Sequence, residues 1–150
     1  MTAFEKALEL GLVPWLGGYR MVRRNAPLHH SLIDYLLEGD GGVIYLEVKS
    51  AVLRGGDYAM YPDCPSERGR KHVRELTAHR RHGGRTVILF MAALPGAKAF
   101  KPYNGGDPEL CRLLVEADRA GVELRALNIV YQPQGSFVSL VNPDLPVELV

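Results

Sequence analysis

The sequence predicts an α/β domain built on a mixed sheet with helices on both faces. Three observations carry that expectation. Two stretches of alternating apolar residues, 32–37 and 43–50, flank Gly39-Asp40-Gly41-Gly42, the pattern of an antiparallel hairpin. Further along, helical and strand patterns alternate, as they do where crossovers join parallel strands. Between two well-capped helical patterns lies 86–93, a nearly unbroken apolar run of the kind that forms a central strand buried on both faces. A chain of 150 residues, 47% hydrophobic and 23% charged, fits one globular domain over 1–150 and excludes a disordered or fibrous chain.

The elements follow in order. Phe4, Ala7, Leu8 and Gly11 are spaced as on one face of a helix over 3–10. Gly17-Gly18 breaks the chain, and 19–25 reads as a first strand. The hairpin comes next, and 57–65 reads as a loop. Ser66 caps a helix to about residue 82, stopped by Gly83-Gly84. After the central strand, Asp107 caps a second helix with Pro108 at its first position, an apolar stripe of Leu110, Leu113, Leu114 and Ala117, and a stop at Gly121. Strands 122–131 and 137–141 surround a turn at Pro133 to Gly135. Cys64 and Cys111 lie outside any paired spacing and read as free thiols, which excludes a four-cysteine zinc site. No apolar run approaches the ~18 residues of a membrane span, and the first residues lack a signal-peptide pattern. The expectation is a cytoplasmic protein without a membrane partner.

The hairpin places the chemistry. If Asp40 and Gly41 are the central pair of a type I′ turn, residue n faces residue 81 − n. Ile33 then faces Val48, Tyr35 faces Leu46 and Leu37 faces Ile44, an apolar face for the core. On the opposite face Asp34 lies across from Glu47, with Lys49 two residues on. Directly opposed side chains have Cβ atoms ~5 Å apart, and like charges there repel. A divalent cation held by Asp34 and Glu47 removes the repulsion. Oxygen ligands suit Mg²⁺, and the Val48 carbonyl is a further ligand candidate. Such a site activates water for phosphodiester cleavage, with Lys49 orienting the water or stabilising developing charge. The blander alternative is a solvated strand face bearing an ordinary Glu-x-Lys pair.

Residues 66–86 carry seven Arg and Lys against two Glu, a local +5 inside a chain whose formal total is +1. The flanking segments are each at −2, so the even total conceals one basic helix. Arg70, Arg74 and Arg81 fall on one stripe that could track a phosphate backbone, while Val73 and Leu76 face the core. The alternative is a solvated face with Glu67–Lys71 and Lys71–Glu75 pairs. His29-His30 reads as a pair of surface histidines pointing apart. Neither cysteine has a catalytic signature, and no G-x-S-x-G occurs.

Three blocks resemble one family: Ser31-Leu32-Ile33-Asp34-Tyr35-Leu36-Leu37, then Tyr45-Leu46-Glu47-Val48-Lys49-Ser50, then Pro62-Asp63-Cys64-Pro65-Ser66-Glu67-Arg68-Gly69-Arg70-Lys71-His72. With Gly11-Leu12-Val13-Pro14, Leu16-Gly17-Gly18-Tyr19 and Gly121-Val122-Glu123-Leu124 they resemble the sugar fermentation stimulation protein family in register over almost the whole chain. The resemblance implies a restriction-endonuclease-like PD-(D/E)XK nuclease core, with Asp34 and Glu47 as its acidic pair and Lys49 as its lysine. It also implies that a first-helix glutamate, Glu5 or Glu9, joins the metal shell. The family is described as DNA-binding and linked to sugar catabolism, notably of maltose. It usually carries an N-terminal OB-type domain ahead of this core, where the present chain starts. The residue ahead of Ile33-Asp34 is commonly basic in the family and is Leu32 here.

The leading expectation is therefore a Mg²⁺- or Mn²⁺-dependent nuclease. Asp34, Glu47 and Val48 hold the metal, Lys49 assists the water, and Arg68, Arg70, Lys71 and Arg74 position nucleic acid, DNA ahead of RNA. Two rivals stand beside it. One is a non-catalytic DNA-binding regulator of sugar metabolism, and the other an interaction module whose basic helix meets an acidic protein. Oligomeric state is not legible in the sequence.

Overall fold

The computed structural model describes residues 1–132, 134–135 and 137–149. Helix α1 (Ala3–Glu9) is capped by Thr2, whose hydroxyl accepts the Glu5 N–H at 3.1 Å. A short 3-10 turn (Pro14–Leu16) leads to strands β1 (Arg20–Leu28), β2 (Ser31–Gly39) and β3 (Gly42–Ser50). Helix α2 (Glu67–Arg81) starts at Ser66, whose hydroxyl accepts the Gly69 N–H at 2.9 Å. It is followed by β6 (Arg85–Ala92), α3 (Pro108–Ala120), β8 (Glu123–Gln132) and β9 (Phe137–Asn142), with the short strands β4 (Leu53–Gly55), β5 (Tyr58–Tyr61) and β7 (Ala99–Pro102) interposed. The main sheet has the order β1-β2-β3-β6-β8-β9. Its ends are antiparallel, and its centre, β3-β6-β8, is parallel. This is the mixed α/β architecture, a central mixed sheet flanked by helices, that the sequence predicts.

The central strand explains the unbroken apolar run. Ile88, Phe90 and Ala92 of β6 pack beneath α2 and α3 with Val73, Leu76, Leu110 and Leu114. Val87 and Leu89 point the other way, into a second core with Phe4 and Ala7 of α1, Leu37, Ile44 and Leu46. With both faces covered, alternation has no solvent side to produce polar residues.

Two expectations need correction. The 57–65 segment is not a loop throughout. β5 pairs with β4 and with β7 in a separate three-stranded sheet, and Phe100 of β7 stacks on Phe90 with ring centroids 3.9 Å apart. Four-residue strands whose partner lies some forty positions away leave too little local pattern to read. The hairpin turn is also not type I′. Neither Asp40 nor Gly41 takes the positive φ which that turn requires, and Gly42 does so instead, at 107°. The predicted pairing survives this change for Gly39↔Gly42, Leu37↔Ile44 and Tyr35↔Leu46. At the last turn, Pro133 lies outside the described residues. Cys64 is exposed, Cys111 is buried, and both are free. Among the described residues no helix is long and apolar enough to cross a membrane.

Two buried carboxylates fasten the helices. Asp107 is fully buried and serves both helices at once. It accepts the Leu110 N–H at 3.1 Å as the cap of α3, the Ser66 N–H at 3.0 Å just ahead of α2, and the Arg70 guanidinium at 2.9 Å. Glu5 fastens α1 to the sheet through Arg24 of β1 and the Tyr35 hydroxyl of β2, the latter at 2.8 Å. The Arg24 hydrogen bond is the main reason its carboxyl falls from 4.5 to about 2 against the opposing effect of burial, with Tyr35 and Thr2 assisting.

Asp107→Ala should remove a cap and leave the Arg70 charge partly buried without its partner. The expected loss is about 3 kcal/mol of unfolding free energy, measurable by urea titration. Because the Glu5 carboxyl is depressed on folding, the stability it adds is fully present above 4.5 and is lost as pH falls through about 2. The stability gap between the parent and Glu5→Gln should accordingly shrink when urea titrations at about pH 5 are repeated near pH 2. A constant gap would contradict this assignment.

Candidate metal and phosphodiester site

The β2–β3 ladder runs from Gly39↔Gly42 to Tyr35↔Leu46 and then opens. Beyond that point side chains replace backbone partners. The Asp34 N–H donates to Glu47 Oε1 at 3.0 Å, and the Val48 N–H donates to Asp34 Oδ2 at 2.8 Å. Each carboxylate is thus held by the opposite strand. On the other side of β2, Asn25 lies between the pairs Arg24↔Tyr35 and Ala26↔Ile33, alongside Asp34, and adopts a left-handed backbone with φ 51°. The faces separate here as well. Ile33 packs in the core beneath α2 and α3, whereas Tyr35, Leu37 and Val48 pack in the α1 core. The expected Ile33–Val48 pair within one core face is therefore not formed, because the strands part at Asp34.

Glu47 is 3% exposed. Its Oε2 accepts the Lys49 ammonium at 2.8 Å and His72 Nδ1 at 2.7 Å. Burial alone would raise its carboxyl, but the His72 hydrogen bond and the Lys49 charge outweigh burial and bring it down to about 2. Asp34, half-buried, moves the other way. Burial raises it, and the neighbouring Glu47 charge raises it further, against the pull of the Val48 N–H. Two carboxylates in one site are thus separated into a firmly ionised member and one whose charge is penalised.

Neither first-helix glutamate is hydrogen-bonded to Asp34 or Glu47 among the described residues. Glu5 is committed to Arg24, Tyr35 and Thr2, and Glu9 is exposed at the end of α1. Among the described residues no three His, Cys, Asp or Glu side chains form a ready-made metal cage. The donor set does suit an ion that keeps much of its water. The penalised Asp34 charge, opposed by burial and by the neighbouring Glu47 carboxylate, would be relieved by a cation.

The basic helix is used mostly for packing. The stripe Arg70, Arg74 and Arg81 faces α3, where it meets Asp107 at 2.9 Å, Glu109 at 3.7 Å and Glu116 at 3.2 Å. Arg70 also pairs with Glu67 at 2.6 Å. The Lys71 ammonium donates to the His30 carbonyl at the β1–β2 turn, and Glu75 accepts the His30 N–H at 3.3 Å. His29 and His30 are both exposed. Arg68 is exposed, without an ion pair among the described residues, and stands one helical turn before His72 on the same face. His72 is the site residue that the sequence reading missed. Its signal was an ionisable side chain four residues before Leu76, on the face that Val73 and Leu76 bury.

The geometry has counterparts. A family model described as "Sugar fermentation stimulation protein RE domain" matches residues 1–135. The sugar fermentation stimulation protein homolog of Pyrococcus furiosus is 50% identical over 98% of this chain and 63% of its own length, and that of Archaeoglobus fulgidus 44% over 98% and 61%. Among solved structures, Pyrococcus furiosus SfsA in complex with Ca²⁺ superposes with a TM-score of 0.94 at 47% identity, covering 97% of this chain and 62% of that one. The chain thus spans about six-tenths of the length of the curated relatives it matches. Matched by the family model over nine-tenths of its residues, and close to half identical to these relatives, the chain belongs to the sugar fermentation stimulation protein family.

Proposed function

We propose that this domain is a divalent-metal-dependent nuclease that hydrolyses phosphodiester bonds, with DNA as the favoured substrate. The observation that carries the reading is the pair Asp34 and Glu47, brought together where the hairpin ladder opens, with one charge penalised and the other pinned beside an ammonium. A neutral acceptor would pair the Val48 N–H as well as Asp34 does, so that bond alone does not call for a carboxylate whose charge is penalised. Asp34, Glu47 and the Val48 carbonyl would hold Mg²⁺ or Mn²⁺, and the Ca²⁺ in the Pyrococcus relative supports a hard, oxygen-seeking cation. A cation bound there would polarise a phosphoryl oxygen and acidify a coordinated water.

The chain's own groups supply the rest. Lys49 Nζ is largely buried and fixed by Glu47, so its charge needs no reorganisation as negative charge grows on the phosphorus oxygens. Arg68, exposed one helical turn before His72 and without an ion pair among the described residues, would meet a phosphate. Lys71, bound to the β1–β2 turn, adds positive potential nearby. Arg70 and Arg74, engaged with Asp107 and Glu109, contribute chiefly to the α2–α3 contact and only as a background field to nucleic acid.

Cleavage of DNA and RNA with Mg²⁺ or Mn²⁺ should be lost in Asp34→Ala and should fall by about 10²-fold or more in Lys49→Ala, and a chelator should abolish it. Equal cleavage by all three proteins would trace the activity to a contaminant. Salt-sensitive DNA binding without turnover in any metal would instead favour a non-catalytic regulator that kept the fold. The basic helix offers a separate check. Arg68→Ala should weaken DNA binding and lower the salt slope by about 1 while leaving Tm unchanged. Arg70→Ala should lower Tm and have the smaller effect on binding. The reverse pattern would show that phosphate is met on the α3-facing stripe.

A further inference from the structure

We propose that His72 is a positioning residue, which fixes the Glu47 carboxylate so that one oxygen receives Lys49 and the other is turned toward a cation. The inference rests on the metal-dependent reading above and deepens it.

His72 is 4% exposed and reaches Glu47 from α2, across the opened end of the β2–β3 hairpin. Its Nδ1 stands 2.7 Å from Glu47 Oε2 and 3.2 Å from Lys49 Nζ. Two bare lone pairs at 2.7 Å would repel, so Nδ1 carries its hydrogen and donates it to the carboxylate. A ring N–H does not accept. The Lys49 ammonium therefore does not bond to the ring, and both groups donate to the same oxygen. Oε2 has two lone-pair directions, and Lys49 and His72 take both. Among the described residues Oε1 accepts the Asp34 N–H, and a cation between the Asp34 and Glu47 carboxylates would take its second lone pair.

Without the imidazole this orientation would be lost. The last torsion of a glutamate is broad, and a lysine has a flexible four-carbon stem. Lys49 alone would hold the carboxylate through a mobile arm. A ring on a packed helix removes that freedom, in the way that outer partners orient ligands in established metal sites. Carriage by α2 adds a connection. The helix bearing His72 also bears Arg68 one turn earlier, so a phosphate contact and the carboxylate orientation share one rigid element.

The test compares the parent with His72→Leu, His72→Asn and His72→Gln, with Mn²⁺ binding followed by calorimetry and folding by thermal melts. An asparagine places an N–H near the position of Nδ1, and a glutamine does not. His72→Leu should bind Mn²⁺ about 10–100-fold more weakly. His72→Asn should bind close to the parent, and His72→Gln should resemble His72→Leu. Two results would overturn the proposal: undiminished binding in His72→Leu, or binding in a well-folded His72→Asn as weak as in His72→Leu. Should His72→Leu fail to fold, the Asn and Gln variants decide by themselves, and equal binding in those two overturns the assignment. A parent that binds no Mn²⁺ would refute the metal-dependent reading itself. A parent that binds and cleaves, with His72→Leu unchanged in both, would refute only the role given to His72.

Discussion

The site depends on the exchange of hydrogen bonds where β2 and β3 part. A regular hairpin would satisfy the Asp34 and Val48 N–H groups with backbone carbonyls. Here Glu47 Oε1 and Asp34 Oδ2 accept them instead. The exchange keeps buried donors paired while the ladder opens, and it fixes two carboxylates at the opening. The left-handed Asn25 on one side and the division of Ile33 and Tyr35 between two cores on the other belong to the same local change in strand direction. A site built in this way stands on a strand between packed cores, which suits groups whose positions must hold within a fraction of an ångström.

Charge is distributed with equal economy. The basic helix reads as one cationic face, yet its α3-facing stripe is neutralised in place by Asp107, Glu109 and Glu116. The exposed pairs contribute little to stability individually. Asp107 differs because it is buried and joins a cap, a loop N–H and an arginine in one group. Arg68 and Lys71 in the first turns of α2 and Arg80 near its end keep no acidic partner among the described residues; Lys71 donates to the His30 carbonyl and Arg80 to the Gly121 carbonyl.

Legibility varied with the range over which a feature is determined. Ser66 and Asp107 announced their helices because a cap bonds only three residues ahead. The run at 86–93 announced a central strand because burial on both faces suppresses polar residues. The β4-β5-β7 sheet was hidden, since its short strands owe their pairing to a distant partner. His72 was hidden because its partner, Glu47, lies 25 residues away on another element. Arg70, Arg74 and Arg81 were legible as a stripe, but the acids opposite them are on a helix whose docking no helical periodicity reports.

By itself, the sequence determined the order of the three helices and of the main-sheet strands, the hairpin pairing from Tyr35↔Leu46 to Gly39↔Gly42, and the presence of Asp34, Glu47 and Lys49 at its open end, because these follow from local periodicity and the position of the glycine-rich turn. Only the tertiary structure decided which way those groups are held: that Glu47 turns one oxygen to Lys49 and His72 and the other to Asp34, that Glu5 fastens α1, and that most of the basic stripe faces α3. The physical reason is that a charge is placed by the groups that surround it, and those groups come from distant parts of the chain.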